Sequence, residues 1–214
     1  MALCEPAAAL AALCARIRAA ASPGEAAPVC GEGDPRAALM LVGEAPGEEE
    51  ARQGRPFVGR AGRLLDQALA VSGIPRAALW ITNVVKVRPV TRSDRGVRNR
   101  APTAKEVRFW LPYLEEEIAL VRPRAILCLG ATAARALLGR EITLARDRGR
   151  WQAGADGAAI GVTYHPAYLL RLRAVDPAAY ARATAELTAD LAAAWAIAKG
   201  AAPPATATSP ESPP

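Results

Sequence analysis

The fold is decided by one stretch: Leu39-Met40-Leu41-Val42-Gly43-Glu44-Ala45-Pro46-Gly47-Glu48-Glu49-Glu50-Ala51-Arg52-Gln53-Gly54-Arg55-Pro56-Phe57. Its opening, Ala38 to Val42, is an unbroken apolar run that ends at a glycine, as a strand buried on both faces of a parallel sheet does. The run stops at Gly43-Glu44-Ala45-Pro46-Gly47. Two glycines, with access to backbone angles closed to other residues, and a proline of fixed φ predict a tight, rigid loop there. Open α/β sheets bind their ligands at that end of the strand.

Working outward, strands and helices alternate. Gly62 to Ser72 carries Leu64, Leu65, Ala68, Leu69 and Val71 at helical spacing, closed by Gly73 and Pro75. Leu79 to Val85 reads as a second buried strand, with Thr82 and Asn83 intruding near its end. A capping box, Thr103 with Glu106, opens a helix whose buried face is Val107, Leu111, Leu114, Ile118 and Val121. Arg124 to Gly130 and Ala159 to Thr163 read as further strands, Ala131 to Leu138 and Asp176 to Lys199 as helices. The alternation predicts a three-layer α/β/α sandwich around a central parallel sheet of about four strands.

With 214 residues, 51% of them hydrophobic, the chain can bury one substantial core. We expect one domain at 30–199, a helix (Ala7 to Ala20) and loop before it within 1–29, and a disordered Ala/Pro/Ser/Thr tail at 200–214. The opening residues lack a basic n-region and carry Arg16 and Arg18 where a signal peptide is plain, and no apolar run is long enough for a bilayer. The expectation is a cytoplasmic monomer with no membrane contact. Cys4, Cys14, Cys30 and Cys128 show no CxxC pair and no metal-ligand spacing, which predicts isolated reduced thiols. The net charge of +6 favours a polyanionic partner.

In a parallel sheet all strands end on one side. The Gly43 loop, Asn83 and His165 each fall at or beyond a strand end, so one crevice gathers them. Lys86 to Lys105 holds Lys86, Arg88, Arg92, Arg95, Arg98, Arg100 and Lys105 against the single acid Asp94 before Glu106, and reads as a basic loop on that crevice's rim.

Four motifs together resemble the family 4 uracil-DNA glycosylases: Gly43 to Glu50, Arg55 to Gly62, Thr82 to Lys86, and His165 to Arg171. The resemblance covers roughly residues 30 to 195. It implies excision of uracil from DNA, uracil-containing DNA as partner, and an iron-sulfur cluster on four cysteines. Here the sequence departs from the family, with no cysteine in Ala19 to Pro23 and with Val87 and Trp110 at the other two ligand positions. A protein with no cofactor and no metal is therefore expected. Ala51 stands where the family usually has an aspartate, and the basic segment is longer than in typical members.

The residues suit the chemistry. Asn83 offers one donor and one acceptor to uracil O4 and N3–H. Phe57 supplies a flat ring for stacking, worth about 1–3 kcal/mol, and backbone groups of Gly43 and Ala45 can bind the base. His165, the only histidine, can donate to O2 as charge develops there. Glu44 and Glu50 are candidates to activate water and to stabilise the cationic sugar, with their division of labour open. Lys86, Arg88, Arg92, Arg95, Arg98, Arg100 and Arg171 are expected on phosphates, and Leu169 and Leu170 as an exposed wedge in the vacated base stack. Alternatives are a relative that binds DNA or abasic sites without catalysis, a glycosylase for hypoxanthine or xanthine, and a strand-cutting lyase using Lys86.

Overall fold

The computed structural model describes residues 6–22, 26–94, 96–154 and 157–203. Cys4, Arg95 and the expected tail from 204 onward lie outside them. In chain order the elements are α1 (Pro6–Ala20), β1 (Glu32–Gly33), β2 (Leu39–Gly43), α2 (Glu48–Gln53), α3 (Arg60–Val71), β3 (Leu79–Asn83), β4 (Val90–Ser93), β5 (Gly96–Asn99), α4 (Ala104–Val121), β6 (Ala125–Leu129), α5 (Ala131–Leu138), α6 (Leu144–Asp147), β7 (Trp151–Ala153), β8 (Ala159–Thr163), α7 (Pro166–Val175) and α8 (Pro177–Ala198).

Successive strand side chains point to opposite faces, so uniformly apolar strands need cover on both. Met40, Val42, Trp80, Ile126 and Cys128 face Leu13 and Ile17 of α1, Leu114 of α4 and Ala134 of α5. Leu39, Leu41, Leu79, Ile81, Leu127 and Leu129 face Leu65 and Leu69 of α3 and Leu187 and Leu191 of α8. These are the two outer layers of an α/β/α sandwich. The sheet order is β1-β3-β2-β6-β8-β7. β3, β2, β6 and β8 are mutually parallel and are the four expected strands. The sheet has six strands rather than four, because β1 and β7 add short antiparallel edges. With two and three residues, they are too brief to show a periodicity.

The parallel register sets Gly43 beside Asn83 at the carboxyl end of the sheet. Beyond Asn83 the chain departs from the expected basic loop. Val84 to Val87 are buried, and Val90 to Asn99 fold back as an antiparallel hairpin, β4 with β5. The Thr103 capping box forms as expected, Glu106 N–H donating to Thr103 Oγ1 and Thr103 N–H to Glu106 Oε2.

Two further expectations are corrected. The segment expected to expose Leu169 and Leu170 as a wedge is helical: His165 caps α7, with Pro166 in the first turn, where its missing N–H costs nothing. Cys14 and Cys30 are not isolated thiols but form a disulfide that ties α1 to the segment leading into β1, while Cys128 is free and buried. Among the described residues no helix is long and apolar enough to cross a membrane.

The disulfide closes a loop of 16 residues. A non-reducing peptide map should therefore recover a linked Cys14–Cys30 fragment, and adding reductant should lower stability in urea by about 3 kcal/mol.

Candidate active site

A cleft of about 830 Å³ opens at the carboxyl ends of the parallel strands, lined by the Glu44–Glu50 loop, Phe57, Asn83 and His165. The sheet topology thus brings together residues up to 121 positions apart. At its back, Asn83 is buried and its Oδ1 has no hydrogen-bond partner among the described residues. A Cβ on Gly43 would lie 2.3 Å from that Oδ1 and 2.5 Å from Phe57 Cζ. The loop's glycines are required for space rather than for unusual angles. At Gly47, with φ −86°, a Cβ would stand 2.7 Å from Glu50 Oε2 and would press on that carboxylate.

Phe57 sits at φ +52°, a left-handed conformation that strains a bulky residue by roughly 1–3 kcal/mol. Glu50 holds it there. Its Oε1 accepts from Val58 N–H at 3.0 Å and Gly59 N–H at 2.8 Å, which pins the turn immediately after the ring. Glu50 is buried, bonds backbone through Oε1 and so positions the Phe57 turn, and it also lines the cleft. The Phe57 ring lies 5.9 Å from the His165 ring, tilted by 36°.

The acids of the loop separate by partner. Glu48 pairs with Arg88 and Glu49 with Arg52, whose hydrogen bond, followed by that of Gln53, draws the Glu49 carboxyl down to about 2. Glu44 has no cation against it among the described residues. Its Oε2 instead accepts from Thr132 Oγ1 at 2.5 Å, leaving Oε1 for another donor. Thr132 stands in the first turn of α5, after Gly130 at φ +100°. It was missed because no local pattern links positions 88 apart.

His165 Nδ1 accepts from Ala167 N–H at 3.1 Å, so in the neutral ring the proton sits on Nε2. Burial, and secondarily the charge of Arg171, hold the imidazole down at about 4. At neutral pH His165 is thus an uncharged donor.

The basic residues divide sharply. Lys86, expected on phosphate, is wholly buried, and its ammonium donates to Glu117 Oε2 (2.7 Å), Thr82 Oγ1 (2.9 Å) and the Asn83 carbonyl (2.8 Å). Burial pushes that ammonium below its ordinary value, against the pull of Glu117. Arg88 bonds Asn99 Oδ1 and Glu48, and Arg100 bonds both oxygens of Glu106. These three brace the fold. Arg92 and Arg98 are exposed, and Arg100 and Arg171 line the cleft. Leu169 is fully buried against α8, which removes it as an exposed wedge, whereas Leu170 lines the cleft.

Two outcomes follow. Replacing Lys86 with Met while Glu117 stays strands a buried carboxylate, and should cost roughly 3–5 kcal/mol in chemical denaturation; unchanged stability with weakened DNA binding would restore Lys86 to the surface. For His165, the folded value lies below the unfolded one, so the unfolded chain binds more protons between about 4 and the ordinary 6.5. Stability should fall as pH drops through that window, and the His165→Asn variant should lose that part of the slope in melts recorded against pH.

A profile of the uracil DNA glycosylase superfamily matches residues 30–188. A Type-4 uracil-DNA glycosylase of Pyrobaculum aerophilum is 43% identical over 150 residues, covering 67% of this chain and 73% of that protein. A Type-4 enzyme of Thermotoga maritima is 42% identical over 146 residues, 68% of this chain and 72% of its own. A Type-5 uracil-DNA glycosylase of Pyrobaculum aerophilum is 34% identical over 158 residues, 66% of each chain. Kinship with the Type-4 proteins, a family that binds an iron-sulfur cluster, overturns the expectation of a cofactor-free protein. The described residues do not themselves offer the ligands. Cys14 and Cys30 are bonded to each other, Cys128 is buried alone, and no group of three or more His, Cys, Asp or Glu could hold a metal ion. By profile, by identity and by the geometry of its cleft, the chain belongs to the uracil DNA glycosylase superfamily.

Proposed function

We infer that this chain is a monofunctional uracil-DNA glycosylase of base excision repair, which releases free uracil and leaves an abasic site. The observation that carries the reading is the unpartnered Oδ1 of Asn83 at the back of the cleft. A buried acceptor without a donor costs about 1–3 kcal/mol and is retained where a ligand supplies the donor. Uracil N3–H is such a donor, and the amide nitrogen of the same side chain can donate to O4. Phe57 would stack on the base, with Gly43 keeping the space between them open and Ala45 on the adjoining wall.

The chemistry then follows from the charges. The C1′–N1 bond breaks with its electron pair leaving on uracil, and negative charge collects at O2, where the neutral His165 would donate through Nε2–H. Water adds its oxygen to the cationic C1′ and gives its proton to Glu44, which Thr132 fixes through Oε2. Glu50 acts only through the Phe57 turn it holds. Leu170 would fill the vacated stack, and Arg92 and Arg171 would meet phosphates. Lys86, buried away from the cleft, supports no lyase step. The reading extends to a protein that works on DNA as a cytoplasmic monomer.

The test is cleavage of an end-labelled oligonucleotide containing one deoxyuridine, with and without alkali. Strand breakage only after alkali is expected, and intact DNA at every enzyme concentration would overturn the reading. Glu44→Gln should lower kcat by roughly 10²–10⁴. Thr132→Val should lower kcat at unchanged KM, Thr132→Ser should restore it, and Thr132→Val should add nothing in the Glu44→Gln background.

A further inference from the structure

We propose that the β4–β5 hairpin is a one-sided DNA-docking ribbon, whose face carrying Arg92 and Val97 lies against the strand flanking the extruded nucleotide, while the face carrying Arg98 is turned away. This rests on the DNA reading above and resolves which residues of the basic segment serve it.

Register sorts the ribbon. Val90 pairs with Asn99, Thr91 with Arg98, Arg92 with Val97, and Ser93 with Gly96. Directly opposed residues share a face and alternate residues along a strand return to it. One face therefore carries Val90, Arg92, Val97 and Asn99, and the other Thr91, Ser93 and Arg98. The root fixes which face meets the cleft. Asn99 lines the cleft, and its Oδ1 accepts from Arg88 at 2.6 Å, while the same guanidinium reaches Glu48 at the start of α2 at 2.9 Å. The side of the ribbon that holds Asn99 is thus fastened to the glycine-loop wall. A second fastening, Arg100 to Glu106 and to the Val90 carbonyl, holds the other strand. An isolated two-stranded ribbon is marginal in water, and these braces at its root let it stand out from the body.

The occupant follows from charge and position. Arg92 is exposed, and no acidic side chain pairs with it among the described residues. Val97 directly opposite it is 45% exposed. A guanidinium beside a small apolar side chain suits a phosphate and the sugar next to it. Arg171 and Leu170 present the same combination from α7 across the cleft. A strand whose nucleotide enters the cleft would run between these two walls.

The test uses the full chain and a fluorescent duplex holding an uncleavable abasic-site analogue, followed by anisotropy across a salt series. Arg92→Ala should weaken binding about five- to tenfold and reduce the log–log salt slope by about 0.9, the share of one phosphate contact. Arg92→Lys should keep the slope, and Arg98→Ala should stay within about twofold of the parent with its slope intact. Equal effects of Arg92→Ala and Arg98→Ala, or none from Arg92→Ala, would overturn the proposal. So would an acidic peptide whose binding depends on Arg92 while DNA binding does not. Because anisotropy needs no catalysis, a protein that binds with this contrast but never cleaves would defeat the glycosylase reading and leave the ribbon standing.

Discussion

The site depends on a charge that cannot be solvated. The Lys86 ammonium has no exposure, and isolated burial of such a group would cost several kcal/mol, so it stays folded only because each of its three protons has an acceptor. Those acceptors are Glu117 on α4, Thr82 one residue before Asn83, and the Asn83 carbonyl itself. Glu117 also accepts from Thr82 Oγ1 and, through its other oxygen, from Gly31 N–H next to the Cys14–Cys30 bridge. One buried ion pair therefore joins α4, β3 and the segment before β1. It fixes the backbone of Asn83 from below.

On that base the cleft accumulates local costs. Asn83 Oδ1 is buried without a donor, Phe57 is held at a positive φ, and Gly43 and Gly47 have given up side chains to let carboxamide, ring and carboxylate approach. Each feature destabilises alone. Together they describe a cavity shaped in advance for a flat, polar-edged ligand, and Glu50 shows how such a shape is kept: two backbone hydrogen bonds to one carboxylate oxygen hold the strained turn.

How much of this was legible in the sequence depended on range. The four parallel strands, the capping box at Thr103 and the helix over 131–138 were readable because apolar runs, caps and glycine stops are local signals. The convergence of Gly43, Asn83 and His165 was readable at one remove, since a parallel sheet brings strand ends to one side. Lys86 was misread because a lysine at the head of a basic segment looks solvated, and its partner lies 31 positions away on another element. Leu169 was misread with its whole segment: once His165 caps a helix, that position turns inward onto α8. The Thr132 contact to Glu44 and the Cys14–Cys30 bond span separations that carry no periodicity at all.

The distribution of charge around the cleft follows from the same geometry. An enzyme that makes a sugar cationic inside a polyanion needs negative charge at the reacting carbon and positive charge where phosphates lie, and these points are closer than the Debye length of about 8 Å at physiological salt, so solvent ions do not separate the two fields. A loop with four glutamates would repel DNA if all four faced it bare. Arg88 and Arg52 neutralise Glu48 and Glu49, and Glu50 gives one oxygen to two backbone N–H groups, while Glu44, bonded to Thr132, has no cation against it among the described residues. Arg88 also braces the hairpin root and Arg52 lies on α2, whereas Arg92 is exposed with no acidic partner among the described residues and Arg171 lines the cleft. Residues with identical charge thus divide into two roles, set by whether a carboxylate stands within reach.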